Sequence, residues 1–88
     1  MGRMPEVLLR APLSELAGAR RHVTSGSTVV QALSALEAAN PSLRGWILDE
    51  QGGVREHIQI FVNGIRGEGS SAVEDSARIH VLPAITGG

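Results

Sequence analysis

Ile58-Gln59-Ile60-Phe61-Val62-Asn63-Gly64-Ile65-Arg66 reads as a strand, a tight turn and the opening of a second strand. Ile58, Ile60 and Val62 alternate with Gln59, Phe61 and Asn63, so the two sets point to opposite faces of a sheet. Asn63-Gly64 is the pair a two-residue hairpin demands, because both central positions take positive φ. Downstream, residues 67–76 are polar and without period, which predicts a loop. Arg78-Ile79-His80-Val81-Leu82 then closes the domain as a final strand, with Ile79 and Val81 toward the core and Arg78, His80 and Leu82 opposite. Upstream, Thr28 and Gln31 have the spacing of a capping box. Val29, Leu33 and Leu36 follow at i, i+4 and i+7 with Ala32 beside them, predicting a helix over residues 29–39 with one apolar stripe. Asn40-Pro41 stops it, since proline cannot continue the ladder and Asn tolerates a left-handed cap.

Further toward the N-terminus, Glu6-Val7-Leu8-Leu9-Arg10-Ala11 is an apolar run ended by Pro12. Arg20-Arg21-His22-Val23 is a weaker strand, joined to the first through a connection containing Gly18. The two are expected to form a hairpin. Between helix and Ile58, the stretch around Trp46-Ile47-Leu48 is irregular and Asp49-Glu50-Gln51-Gly52-Gly53 reads as a turn. The order is strand, strand, helix, strand, short strand, strand. One helix of about eleven residues covers one face of such a sheet, which is α+β layering and leaves the other face partly exposed.

Composition narrows the function. Eighty-eight residues make one domain, near the lower limit for a core without staples. Cysteine is absent, which excludes disulfides and thiolate zinc sites. Eight basic residues against nine acidic ones give a net charge of -1, without the basic excess that nucleic acid requires. Apolar runs such as Val7-Leu8-Leu9 are too short to span a membrane. Protein partners and a cytoplasmic location are the expectation, with no nucleic acid and no membrane. His22, His57 and His80 lack ligand spacing, so no metal is expected. The carboxylates are scattered, and nothing forms a complete active site. All eight basic residues are arginine, so no side-chain amine of this chain can accept an isopeptide bond.

The ending Val81-Leu82-Pro83-Ala84-Ile85-Thr86-Gly87-Gly88, together with Leu13-Ser14-Glu15-Leu16-Ala17-Gly18, the helix after Ser27-Thr28 and Phe61-Val62-Asn63-Gly64, resembles the ThiS/MoaD family of ubiquitin-like sulfur carriers. The middle segment, Leu48-Asp49-Glu50-Gln51-Gly52-Gly53-Val54-Arg55, is most similar to the CysO-like branch, known from cysteine biosynthesis in actinobacteria. Ser14 departs from the family, which usually has a basic residue there. At an average glycine usage of about 7%, a terminal diglycine arises by chance roughly once in two hundred sequences.

The resemblance implies a β-grasp fold: a mixed sheet whose first and last strands are central and parallel, crossed on one face by one main helix. It divides the chain into a domain over residues 1–82 and a flexible tail over 83–88. It also implies a chemistry. A MoeB/ThiF-type adenylyltransferase, similar to ubiquitin-activating enzymes, uses ATP to adenylate the Gly88 carboxylate. A sulfur donor then displaces AMP and leaves a thiocarboxylate, which a sulfur-accepting synthase consumes. A metalloprotease that releases product from the tail is a further implied partner. The chain is then a protein co-substrate and not an enzyme, with no cofactor of its own. Gly88 carries the reacting group, while Gly87, Thr86, Ile85, Ala84 and Pro83 thread into partners and Leu82, His80 and Phe61 form an exposed docking patch. Two alternatives share the fold: the small subunit of molybdopterin synthase, and a covalent protein modifier.

Overall fold

The computed structural model describes residues 3–83. The expected tail positions Ala84, Ile85, Thr86, Gly87 and Gly88 therefore lie outside the described residues. In chain order the elements are β1 (Glu6–Leu9), α1 (Leu13–Ala17), β2 (Arg21–Val23), α2 (Val29–Ala39), a 3-10 turn (Pro41–Leu43), β3 (Ile58–Val62), β4 (Ile65–Gly67) and β5 (Arg78–Pro83). The strands form one sheet in the order β2-β1-β5-β3-β4. β1 and β5 are parallel at its centre, and the remaining pairs are antiparallel. This is the β-grasp arrangement.

Local chemistry explains most of the boundaries. Thr28 caps α2 by accepting from Gln31 N at 3.2 Å, and the Gln31 side chain reaches back to Ser27 N at 2.8 Å. The first amides of α2 have no partner within the helix. Val29 N and Val30 N donate to the Ser71 and Gly69 carbonyls, and Ala32 N to Thr28 O. The segment that looked like a periodless loop thus crosses the helix N-terminus and satisfies its donors, with Val73 and Ala77 buried beside it. Asn63 and Gly64 take φ of 52° and 84°, as the hairpin requires.

The differences from the sequence reading are also physical. β1 stops at Leu9 and not at Ala11, because the Arg10 carbonyl accepts from Ser14 N and opens the turn into α1. Five residues are too few for a helical period to show, so α1 was legible only as a connection; it closes on Gly18 at φ 78°. Asn40 ends α2 in a non-helical conformation, φ -130° and ψ 82°, and not in a left-handed cap. Its successor Pro41 disfavours helical geometry at Asn40, while its side-chain amide donates to Leu36 O at 3.0 Å.

The core lies between α2 and one sheet face: Val29, Ala32, Leu33 and Leu36 against Val7, Leu9, Ile58, Ile60, Ile79 and Val81. Ile47 and Leu48, in the stretch expected to be irregular, are buried too. Glu37 explains how. It sits at i+8 from Val29, on the apolar stripe, only 9% exposed, and its Oε2 accepts from Ile47 N at 3.2 Å and Leu48 N at 3.0 Å. The carboxylate is therefore the backbone partner of a segment with no ladder of its own. Glu37→Ala would leave both amides unpaired in a buried setting and is expected to cost about 1–3 kcal/mol. Glu37→Gln, which keeps an acceptor oxygen, is expected to lose less. Urea midpoints of the two variants check this, and equal midpoints would show that the two bonds contribute nothing.

Candidate functional site

The sheet face opposite α2 is built by the other half of each strand's alternation. Cross-strand register fixes which side chains meet there. Phe61 of β3 lies directly opposite His80 of β5, and His80 is opposite Leu8 of β1. Leu8, His80 and Phe61 thus form one row across three strands. Leu82 sits two residues along β5 from His80, opposite Gln59. All four are half-buried, as expected for side chains that shield one another laterally while their outer surfaces face solvent. The inner face, by contrast, is buried against α2.

Arginines end the rows. Arg66 of β4 is opposite Phe61, and Arg21 of β2 is opposite Leu8. Arg78 is opposite Glu6, whose carboxylate is held at 3.0 Å by Arg21. Three arginines against one carboxylate give this face a positive rim, although the chain as a whole is at -1. Near Arg78 the β3–β4 turn is tied down: Asn63 Oδ1 accepts from Arg78 N, and Asn63 N donates to Arg78 O, both at 2.9 Å. Asn63, Gly64, Ser76, Arg78 and His80 line an open groove of about 570 Å³ there.

The structure therefore brings Phe61, His80 and Leu82 together off the core face, as alternation predicted. It adds Leu8, Arg21, Arg66 and Arg78 to their surroundings. Pro83 is the last residue of β5, opposite Ile58. β5 thus carries His80 and Leu82 on the open face and runs straight into the segment that begins at Ala84. Among the described residues no group of three or more His, Asp or Glu is placed to hold a metal ion. His22 bonds the Ala19 carbonyl through Nε2 at 2.9 Å. No helix among the described residues is long and apolar enough to cross a membrane.

The model of the ThiS family matches residues 7–88. The chain belongs to the ThiS family.

Among the relatives of this ThiS-family chain, small archaeal modifier protein 1 of Haloferax volcanii is 31% identical over 83 residues, which are 91% of this chain and 95% of the relative. The crystal structure of that protein superposes with a TM-score of 0.86 at 30% identity, covering 97% of this chain and 99% of the other. The solution structure of small archaeal modifier protein 1 from Methanosarcina acetivorans gives 0.86 at 28% identity, with 100% and 99% covered. The Amycolatopsis orientalis BexX/CysO complex contains a chain matching with a TM-score of 0.83 at 21% identity over 96% and 99%. That last match is one of fold, and it is the level at which the CysO likeness stands. The ThiS-family chain is a small ubiquitin-like protein of the carrier and modifier kind.

Proposed function

We propose that this chain carries sulfur as a thiocarboxylate on Gly88 and is a co-substrate of partner enzymes. The observation behind this reading is continuity: the open apolar row sits on β5, and β5 leads directly into the diglycine ending of a ThiS-family chain. A carboxylate is a poor electrophile until it bears a good leaving group. The Gly88 carboxylate oxygen attacks the α-phosphorus of ATP, pyrophosphate departs, and the acyl-adenylate remains on an adenylyltransferase of the MoeB/ThiF type. A sulfide-level donor then attacks the acyl carbon and AMP leaves with the bonding pair. The thiocarboxylate that remains delivers sulfur to an acceptor synthase without release of free sulfide. Glycine at positions 87 and 88 suits this chemistry, because a missing Cβ allows close approach in a narrow channel. In the cysteine pathway suggested by the CysO likeness, a metalloprotease would release product from the tail. This reading places the chain in the cytoplasm.

Phe61, His80, Leu82 and Leu8 are the docking surface in this reading, and the arginine rim selects a partner whose apolar site is bordered by carboxylates. Phe61→Ala is expected to weaken binding to the activating enzyme by about 2 kcal/mol, as loss of a central aromatic anchor does. Its cost to the free domain is expected to be about 1 kcal/mol or less, the range of a cross-strand pair. Titration of the variant against the enzyme, with a thermal melt alongside, separates the two. A melt far below wild type with unchanged binding by the folded fraction would assign Phe61 to the core and end the patch reading.

A second reading has its own support. The Haloferax volcanii relative is named a modifier protein, and in that role Gly88 would be joined to lysines of other proteins. Digestion of host lysates and mass spectrometry for lysines bearing the chain's C-terminal remnant tests it. Alkylation-sensitive mass analysis of the chain from its host tests the thiocarboxylate. Conjugates without thiocarboxylate would favour the modifier.

A further inference from the structure

A second surface lies on the other side of the molecule. β2 is an edge strand. Arg20 O and Thr24 N bond to Leu9 N and Pro5 O, so by antiparallel alternation the backbone groups of Arg21 and Val23 point outward, away from β1. Beside this edge, on the helix side of the sheet, β2 and α2 enclose an open groove of about 320 Å³ lined by Met4, His22, Val23, Thr24, Ala35 and Ala39, among others. Its lining is mostly apolar, and Met4 is 47% exposed. Thr24 is the unusual member: it is only 7% exposed, and its Oγ1 has no hydrogen-bond partner among the described residues. A buried hydroxyl left unpaired costs free energy, and this one borders the groove.

Charge identifies the occupant. Among the described residues no carboxylate lines the groove. The one charged residue of α2, Glu37, is buried and committed to the Ile47 and Leu48 amides. Asp75, which bonds Met4 N, is the carboxylate at the far end. At the near end Arg20 is exposed and takes part in no ion pair among the described residues, whereas Arg21 belongs to the open face, where it holds Glu6. A second copy of this chain is a poor occupant, because two-fold pairing of β2 would put four arginines on one ribbon.

We propose that the β2 edge and its groove bind an extended segment of another protein, with alternate apolar side chains and flanking acidic residues. The segment adds a strand to β2 through the outward groups of Arg21 and Val23. Its apolar side chains enter between β2 and α2, its carboxylates face Arg20, and a polar group of the segment completes Thr24 Oγ1. The open face carrying Phe61 and His80 stays free, so this docking and tail activation can coexist.

The test uses the 15N-labelled full chain and a synthetic nine-residue peptide with three alternating valines and aspartates at both ends. Saturable shifts centred on Arg21, His22, Val23, Thr24, Ala35 and Ala39 are expected, with a midpoint on the order of 100 µM. Ala35→Arg, which blocks the groove, and Arg20→Glu are each expected to weaken binding about tenfold, whereas Phe61→Ala leaves it unchanged. If Ala35→Arg melts early, Ala39→Glu at an exposed position supplies the block. Four outcomes overturn the proposal: no saturation by about 1 mM, equal binding of a peptide with lysine for aspartate, shifts centred on Leu8 and Phe61, or concentration-dependent shifts at β2 without peptide, which would mark self-association.

Discussion

Deletion of Gly88, or addition of one residue after it, is expected to reduce ATP-pyrophosphate exchange with the cognate activating enzyme more than a hundredfold while leaving the urea midpoint in place. Both changes move the reacting carboxylate along the chain by one residue, roughly 3.5 Å, and misplacement of a reacting group by about 1 Å already costs on the order of a hundredfold in rate. The midpoint is expected to hold because the core that the described residues build runs from Pro5 to Val81. Gly87→Ala keeps the carboxylate at its reach and adds only a methyl group, so it should fall between wild type and the deletion. Full exchange by the deletion variant would sink the carrier and modifier readings together, since both require activation of that carboxylate. It would leave the β2 groove untouched, because peptide binding there does not involve the tail.

The parts of the molecule that local chemistry dictates were legible in the sequence. The bounds of α2 follow from Thr28, Gln31 and Asn40-Pro41, and those of β3 from strict alternation ended by Asn63-Gly64. The core stripe Val29, Ala32, Leu33, Leu36 is equally local. What escaped depends on partners distant in sequence. Leu8 lies within the continuous apolar run Val7-Leu8-Leu9, which has no alternation to assign a face, and only the parallel register with β5 puts it beside His80. The arginines opposite Phe61 and Leu8 required the pairing of four strands to be known. Residues 67–76 looked featureless because their task is to offer carbonyls to the start of α2, and carbonyls leave no mark on side-chain pattern. Glu37 left one signal, a carboxylate at i+8 on an otherwise apolar stripe, which is where a buried acceptor must stand if it is to reach Ile47 and Leu48.

The two faces of the sheet can be told apart by how mutation divides stability from binding. Leu33→Ala is expected to destabilise the domain by about 2–5 kcal/mol, the range for truncating a fully enclosed leucine. Leu33 is at 0% exposure at the centre of α2, among Val29, Leu36, Ile79 and other members of the core. The loss therefore combines the transfer term of the missing methyl groups with a cavity that rigid strands on the other side cannot close. A small domain has only about 5 kcal/mol or somewhat more to spare, so the variant should be substantially unfolded on warming. Activity should then track the folded fraction: exchange per folded molecule stays at the wild-type value, because Leu33 lies on the packed face, away from Phe61, His80 and Leu82. Phe61→Ala should show the reverse pattern, and deletion of Gly88 should lose exchange at full stability. Urea titration of Leu33→Ala, with exchange measured at matched folded fractions, decides the assignment. An unchanged midpoint would mean that the enclosed stripe of α2 does not hold the sheet, and the division of the molecule into a packed face and a docking face would fall with it.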